Sequence, residues 1–268
     1  RRYRRQTRLS GAMRGAAIAV LVATLAMAGA ALADALPAAV PYRPTAANPA
    51  DLPAPGYAEL EAGYLYSRGG DVARSQSLPV LLKFGANTQW ALLVGADAWV
   101  DQREYDGERT RSGGDTSIVV KQRIAVRDGL AFGFEYGALL PTARPPISVD
   151  KTQWSVNSIV SADAGDVRID ANLMAIRVGA PEPGQGRMQA FTAVAASTPI
   201  SDRWTLAGDM HATLQHGTTP DTTLLAALSY AATPQLVFDV ATMAGLAHAA
   251  PHGQVTAGVT VLLGRCNR

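Results

Sequence analysis

The sequence is poor in almost everything from which enzymes and metal centres are built. Cys266 is the only cysteine, so no intrachain disulfide can form, and its place near the far end argues against a lipid-modified N-terminal cysteine. There is no G-x-S-x-G, no His-Glu-x-x-His, no cysteine cluster and no phosphate-cradling loop, and "GAPEPGQG" at 179–186 is glycine- and proline-rich because it is a loop. The four histidines, His211, His216, His248 and His252, all fall in the last third. The "HAAPH" spacing holds Pro251, is not helical and lacks an acidic or cysteine companion, so solvated loop histidines are expected rather than a metal site. Neither a metal nor a cofactor is expected. After Ala33 no run of helical length shows the 3.6-residue period with caps.

Residues 1–33 stand apart. "RRYRRQTRLSGAMRG" is basic, "AAIAVLVATLAMAGAAL" is apolar and small, and Ala31, Leu32 and Ala33 give an A-x-A form before Asp34, which together read as a secretory signal peptide. The run is short, alanine-rich and without a stop-transfer flank, unlike a spanning helix. Met13 is an alternative start, which would make the residues before it an upstream extension. The segment holds six of the 24 Lys+Arg and none of the 22 Asp+Glu, so residues 34–268 carry 18 basic against 22 acidic residues, a formal −4. A nucleic-acid partner is therefore not expected. Residues 34–56 then carry Pro37, Pro41, Pro44, Pro49, Pro53 and Pro55 with little to bury, an N-terminal arm or linker.

From Tyr57 the period is two. In "RWTLAGDMHATLQ" at 203–215, Trp204, Leu206, Gly208, Met210, Ala212 and Leu214 share one face; Arg203, Thr205, Asp209, His211, Thr213 and Gln215 share the other. Twelve such segments can be marked, at 57–67, 76–86, 89–100, 115–126, 129–140, 151–161, 166–178, 187–199, 203–215, 221–231, 234–245 and 254–264. Ten or so residues is the length of a tilted membrane strand, whereas globular strands run to about five or six. Connections alternate, short at 87–88, 127–129, 162–165, 200–202 and 233–234, longer at 68–75, 101–114, 141–150, 179–186, 216–220 and 246–253. That parity belongs to a transmembrane antiparallel β-barrel of about twelve strands, at 57–265, with the short turns and both termini on the periplasmic side. A Greek-key sandwich mixes its connection lengths.

Aromatic placement agrees. Trp90, Trp204 and Tyr230 fall outward at the short-turn rim and Trp154 outward toward the other, the two girdles a bilayer interface selects. Phe132, Phe134 and Phe238 sit nearer strand centres. Arg177, on the lipid-facing register at the long-loop side, either meets head-group phosphates or marks a bulge. The apolar row thus faces lipid and the row with Arg203, Asp209 and His211 faces a lumen.

The stretch "PTAANPADLPAPGYAELEAGYLYSR" at 44–68, together with "SLPVLLKFG" at 77–85 and "WALLVGADAWV" at 90–100, resembles the outer-membrane family named for the phenol-degradation meta pathway. "STPISDRWTLAGD" and "ATPQLVFDVATMAGL" fit the same strand-turn-strand style, and the resemblance runs from about Pro44 to Arg265. It implies a signal peptide, a barrel of about twelve strands and a part in moving small, often aromatic or hydrophobic compounds across the outer membrane. It carries no catalytic residues. The 101–114 segment lacks the family's glycine-aspartate-leucine string, retaining "GGDTSIVVK" at 113–121. The chain ends "LLGRCNR" without the terminal aromatic of many outer-membrane proteins, so either the tail extends past it or Leu263 substitutes.

Inward charges are mixed: Glu59, Glu61, Lys83, Asp97, Lys121, Arg123, Glu135, Arg168, Asp170, Arg203, Asp209 and Asp239. A three-residue turn at "RDG" sets Lys121 opposite Glu135, and a simple register across 101–114 sets Asp97 opposite Lys121, giving an Asp97–Lys121–Glu135 ladder. Such a ladder is either a structural network filling a narrow lumen or a selectivity constriction. With Arg123, Asp209 and His211 these are the candidate lumen and selectivity residues. The expected protein is a monomeric, passive outer-membrane channel with lipid around it and a small-molecule solute within. Its rivals are a closed structural or surface-interaction barrel, an outer-membrane hydrolase and a soluble periplasmic β protein. The hydrolase would need His and Ser side by side on the outer surface, and "HATLQ" sets His211 inward with no serine in reach.

Overall fold

A computed structural model describes residues 36–247 and 250–266; the segment read as a signal peptide lies outside them. Among these residues thirteen strands come after the arm: β1 Tyr57–Gly69, β2 Val72–Gly85, β3 Trp90–Arg103, β4 Arg109–Ser112, β5 Thr116–Arg127, β6 Leu130–Leu140, β7 Gln153–Ala164, β8 Val167–Arg177, β9 Met188–Pro199, β10 Trp204–Gln215, β11 Asp221–Thr233, β12 Leu236–Gly245 and β13 Gly253–Arg265. Each wall strand pairs antiparallel with its sequence neighbour, β3 pairs β5, and β1 pairs β13. Setting β4 aside, twelve strands close into a barrel with no free edge, which satisfies every wall strand's backbone on both sides. The fourth strand pairs only with β3, as a hairpin standing above the wall.

Polarity is inverted relative to a soluble protein. Leu206 and Met210 are 48% and 53% exposed on the outside, with Val120, Leu173, Leu224 and Val240 also outward, while Lys83 and Lys121 are 0% exposed inside. A charge buried inside and a belt of bare aliphatics outside are stable together only where the outside solvent is hydrocarbon. The two faces of the 203–215 strand are therefore assigned as the alternation implied, with Asp209 buried and Leu206, Met210 and Leu214 outward. Trp204 packs on Tyr230 across the strand pair, ring centres 4.7 Å apart, at the short-turn rim. Arg177 faces Trp154 in a register unbroken to the far end of the β7–β8 pair, so it marks no bulge.

Two of the expected long loops are not loops. Residues 68–75 extend β1 and β2 to a tight turn at Gly70 and Asp71, where Gly69 and Gly70 adopt φ of 81° and 84°. Such positive φ is what a hairpin of this kind requires and glycine supplies without strain. Residues 101–114 are mostly the β3–β4 hairpin. Both stretches are polar because they rise past the apolar belt, so the hydrophobic alternation that marks a membrane strand fades while the pairing continues. The longest non-strand connection joins β6 to β7. The Asp115 carboxylate ties it down, accepting from Ala143 N at 2.8 Å, Val149 N at 2.7 Å and Ser148 Oγ at 3.1 Å.

Candidate functional site

The lumen is occupied by the chain's own arm. Residues 37–56 enter at the β11–β12 turn, where Ala39 N donates to Pro234 O at 2.8 Å and Gln235 Nε2 to Pro37 O at 3.2 Å. They cross to β10, return past β6 and β7, and leave beside Gly85, to whose carbonyl Gly56 N donates at 2.6 Å. Six prolines deny the segment a helix or a central strand and leave amides and carbonyls unpaired within it. The wall supplies the partners.

Five clusters do so. At β1 and β2, Lys83 bridges Glu59 at 2.9 Å and Glu61 at 2.7 Å and donates to Val40 O, while the two glutamates accept from Val40 N and, at 2.7 Å, Tyr42 N. At β5 and β6, Lys121 pairs with Glu135 at 2.9 Å and donates to Pro49 O at 2.6 Å; Glu135 also accepts from Asn48 at 3.2 Å and Asn157 at 2.8 Å. Tyr42 lies between the two lysines, its ring centre 4.1 Å from Lys83 Nζ and 4.0 Å from Lys121 Nζ. Its hydroxyl donates to Asp51 O at 2.7 Å. Burial, then the surrounding carboxylates, push the phenol well above its ordinary range, so it stays a neutral donor.

On the other side, Asp209 accepts from the amides of Ala46 and Ala47 at 3.1 and 3.0 Å through one oxygen and contacts His211 Nδ1 at 2.7 Å through the other. Arg43 reaches Asp239 at 3.2 Å and Thr256 at 2.7 Å. Nearer the short-turn end, Asp51 joins Arg123 at 3.1 Å and Arg168 at 2.6 Å, Arg168 also meeting Asp163 and Asp170. Charge-assisted bonds of this kind contribute about 1.5–3 kcal/mol each. Buried ions are tolerated here because each is matched and hydrogen-bonded.

Small wall residues make room. Ala91 and Leu93 pack on Tyr42, Ala193 and Ala195 on Ala47, and Ala131 and Ile159 on Ala50. A Cβ at Gly63 or Gly258 would stand 2.6 or 2.4 Å from the Arg43 guanidinium. Among the described residues, cavities flank the arm, one of about 460 Å³ toward the short turns, bordered by Asp163, Arg168 and Arg203, another of about 230 Å³ bordered by Glu61, Pro79 and Leu81. Arg43, Pro44 and Thr45 border both.

The candidate residues fall out unevenly. Lys121 does stand opposite Glu135, and Arg123, Asp209 and Asp209-bound His211 all belong to the arm's cradle. The expected three-member ladder does not form. Lys121 faces Ala91 on β3, and Asp97 lies higher, opposite Pro79. The reason is the β3–β4 hairpin, which absorbs part of 101–114 and shifts β5 down the strand. The arm residues Tyr42, Arg43, Asn48 and Asp51 were missed, although they are among the few non-Ala, non-Pro positions of the segment. Among the described residues no group of His, Cys, Asp or Glu is placed to hold a metal ion; His216 and His252 are described and His248 is not.

No family model and no curated protein matches the sequence. Solved structures do. An outer-membrane channel from Pseudomonas putida F1 shares 12% identity over 79% of this chain and 97% of that one, with a TM-score of 0.62. The KdgM and NanC porins each share 10% identity over 76% of this chain and 98% of theirs, with TM-scores of 0.55. The fold is that of outer-membrane β-barrels, and at such low identity the likeness is one of fold.

Proposed function

We propose that the protein is an outer-membrane channel for the passive passage of small molecules, narrowed by its own N-terminal arm, and that residues 1–33 are the signal peptide that exports it. The observation that carries this is the arm lying across the lumen between two cavities, Arg43, Pro44 and Thr45 bordering both. A solute would pass the arm or displace it, and the groups it would meet are those of the cradle. Lys121, Glu135, Arg123 and Asp209 then act on selectivity through the arm they hold, His211 through Asp209, and Asp97 directly from the wall above. The mixed sign of these charges favours neutral or zwitterionic solutes over one class of ion. The kinship to the phenol-degradation meta pathway family, and with it an aromatic or hydrophobic solute, rests on the sequence resemblance and on the shared fold of the Pseudomonas channel. A non-catalytic, monomeric barrel is part of the same reading.

One observation favours the rival, a closed structural barrel: the arm is bonded to wall strands all round the lumen, with little left unpaired. Single-channel recording in planar bilayers separates the two. The chain beginning at Asp34 is compared with one lacking residues 37–52. Small or rare openings that become large and persistent on deletion support the gated channel. Stable insertion of both proteins with no conductance in either overturns it in favour of the closed barrel.

A further inference from the structure

On the outside of the barrel, at the long-loop end, four arginines stand in direct cross-strand register. Arg68 on β1 pairs with Arg74 on β2, Arg74 with Arg103 on β3, and Arg103 with Arg109 on β4. Paired residues share a face, and this one is the outer face. The β1–β2 register keeps the same phase from the Ala62–Val80 pair to the Arg68–Arg74 pair, and Gly63, one step from Tyr64, meets the lumenal Arg43. Like charges directly opposite one another repel, and the wall sets their Cβ atoms only about 4.5–5.5 Å apart. Asp101 offsets part of the charge at the β4 end, gripping Arg109 and, at 2.9 Å, Arg111. Among the described residues, Arg68, Arg74 and Arg103 form no ion pair; Asp71, Glu104, Asp106 and Glu108, the acids of the adjacent turns, do not reach them.

The column beneath the row is ordered by polarity. Reading outward positions up β1, Leu60 and Ala62 give way to Tyr64 and Tyr66, and these to Arg68; Tyr64 donates to Gln76 Oε1 at 2.8 Å. Hydrocarbon, interfacial aromatic, then cation is the order a lipid presents in complement: acyl chain, interface, phosphate. Beside Arg68 a groove of about 550 Å³, bordered by Tyr66, Thr242, His252 and Val255, gives room for a head group. We propose that Arg68, Arg74 and Arg103 form a docking site for the phosphate groups of an outer-leaflet lipid. Guanidinium forks spaced along a wall match phosphate oxygens bidentately, and the bound anion relieves the repulsion that the register imposes. The site rests on the reading of the outer face as lipid-facing.

The test is lipid retention by the purified barrel in neutral detergent, read by native mass spectrometry, with diphosphoryl lipid A, dephosphorylated lipid A and inorganic phosphate as probes. The wild-type chain is expected to hold the phosphorylated lipid. The R68Q/R74Q/R103Q variant should hold it about tenfold less or weaker, as expected for loss of charge-assisted bonds, while R68K/R74K/R103K keeps part of the binding and R127Q, at the opposite rim, keeps all of it. Equal retention of the two lipids, equal retention by wild type and the Gln variant, or inorganic phosphate binding as well as the lipid would each overturn the proposal. Heat-modifiable migration of every variant reports that the barrel is folded, and failure of the wild type itself to insert into vesicles would count against the membrane reading instead.

Discussion

The two ends of this barrel treat charge in opposite ways. Toward the short turns, ions point inward, and Lys83, Lys121, Glu59, Glu61 and Glu135 are buried in matched clusters around the arm. Toward the long loops, cations point outward, and three arginines stand in a row that, among the described residues, forms no ion pair. The first arrangement is self-contained, because the desolvation of each ion is offset by a counter-ion and by the arm's own amides. The second is incomplete and looks to its surroundings for an anion. A barrel wall has two solvents, and the same residue types serve as internal glue in one and as a landing surface for the other.

Breaking the glue should produce the largest effect. Lys121→Met leaves Glu135 buried beside a carbonyl that has lost its donor, and is expected to cost about 3–5 kcal/mol. Urea unfolding of the barrel refolded in lipid vesicles measures this. The double variant Lys121→Met with Glu135→Leu should recover most of the loss; a double variant as unstable as the single would show that the pair's charge balance is not what matters. Next comes Gly63→Val, whose Cβ would meet only the Arg43 guanidinium, at 2.6 Å. Overpacking of this kind costs about 1–3 kcal/mol. The arm should loosen while the wall holds, seen as faster hydrogen exchange at the Val40 and Tyr42 amides and unchanged exchange along β9 and β10.

Of comparable size is Tyr42→Leu, which keeps the apolar volume but removes two cation–π contacts and the bond to Asp51 O. Desolvated contacts of this type contribute about 2 kcal/mol. The unfolding midpoint should fall by less than for Lys121→Met, and channel openings should lengthen. Asp97→Asn should be nearly silent, about 0.5 kcal/mol or less, because Asp97 stands above the cradle and faces Pro79 rather than Lys121. A loss as large as that of the Lys121 variant would mean the upper lumen is as tightly coupled as the lower.

The wall was legible because a bilayer imposes a repeated constraint. Leu206, Met210 and Leu214 must be apolar, Asp209 between them need not be, and that contrast recurs on strand after strand. Where the constraint lapses the signal lapses too, so the polar extensions 68–75 and 101–114 read as loops although they are paired. Lys121 opposite Glu135 could be counted back from a tight turn, since only the "RDG" turn interrupts the two strands. Asp97 against Lys121 could not, because the count crossed a connection whose hairpin geometry no local rule discloses.

The sequence by itself therefore determined the class of wall, its strand number and which face meets lipid, since period, length and turn parity are local properties of the chain. Only the tertiary structure decided that residues 37–56 lie inside. An arm of prolines and alanines has no periodicity to read, and its place is set by scattered partners as distant in sequence as Arg43 and Asp239. It also decided that Arg68, Arg74, Arg103 and Arg109 form a row. Their spacing in the chain is irregular, and it is the register of β1 to β4 that brings them side by side.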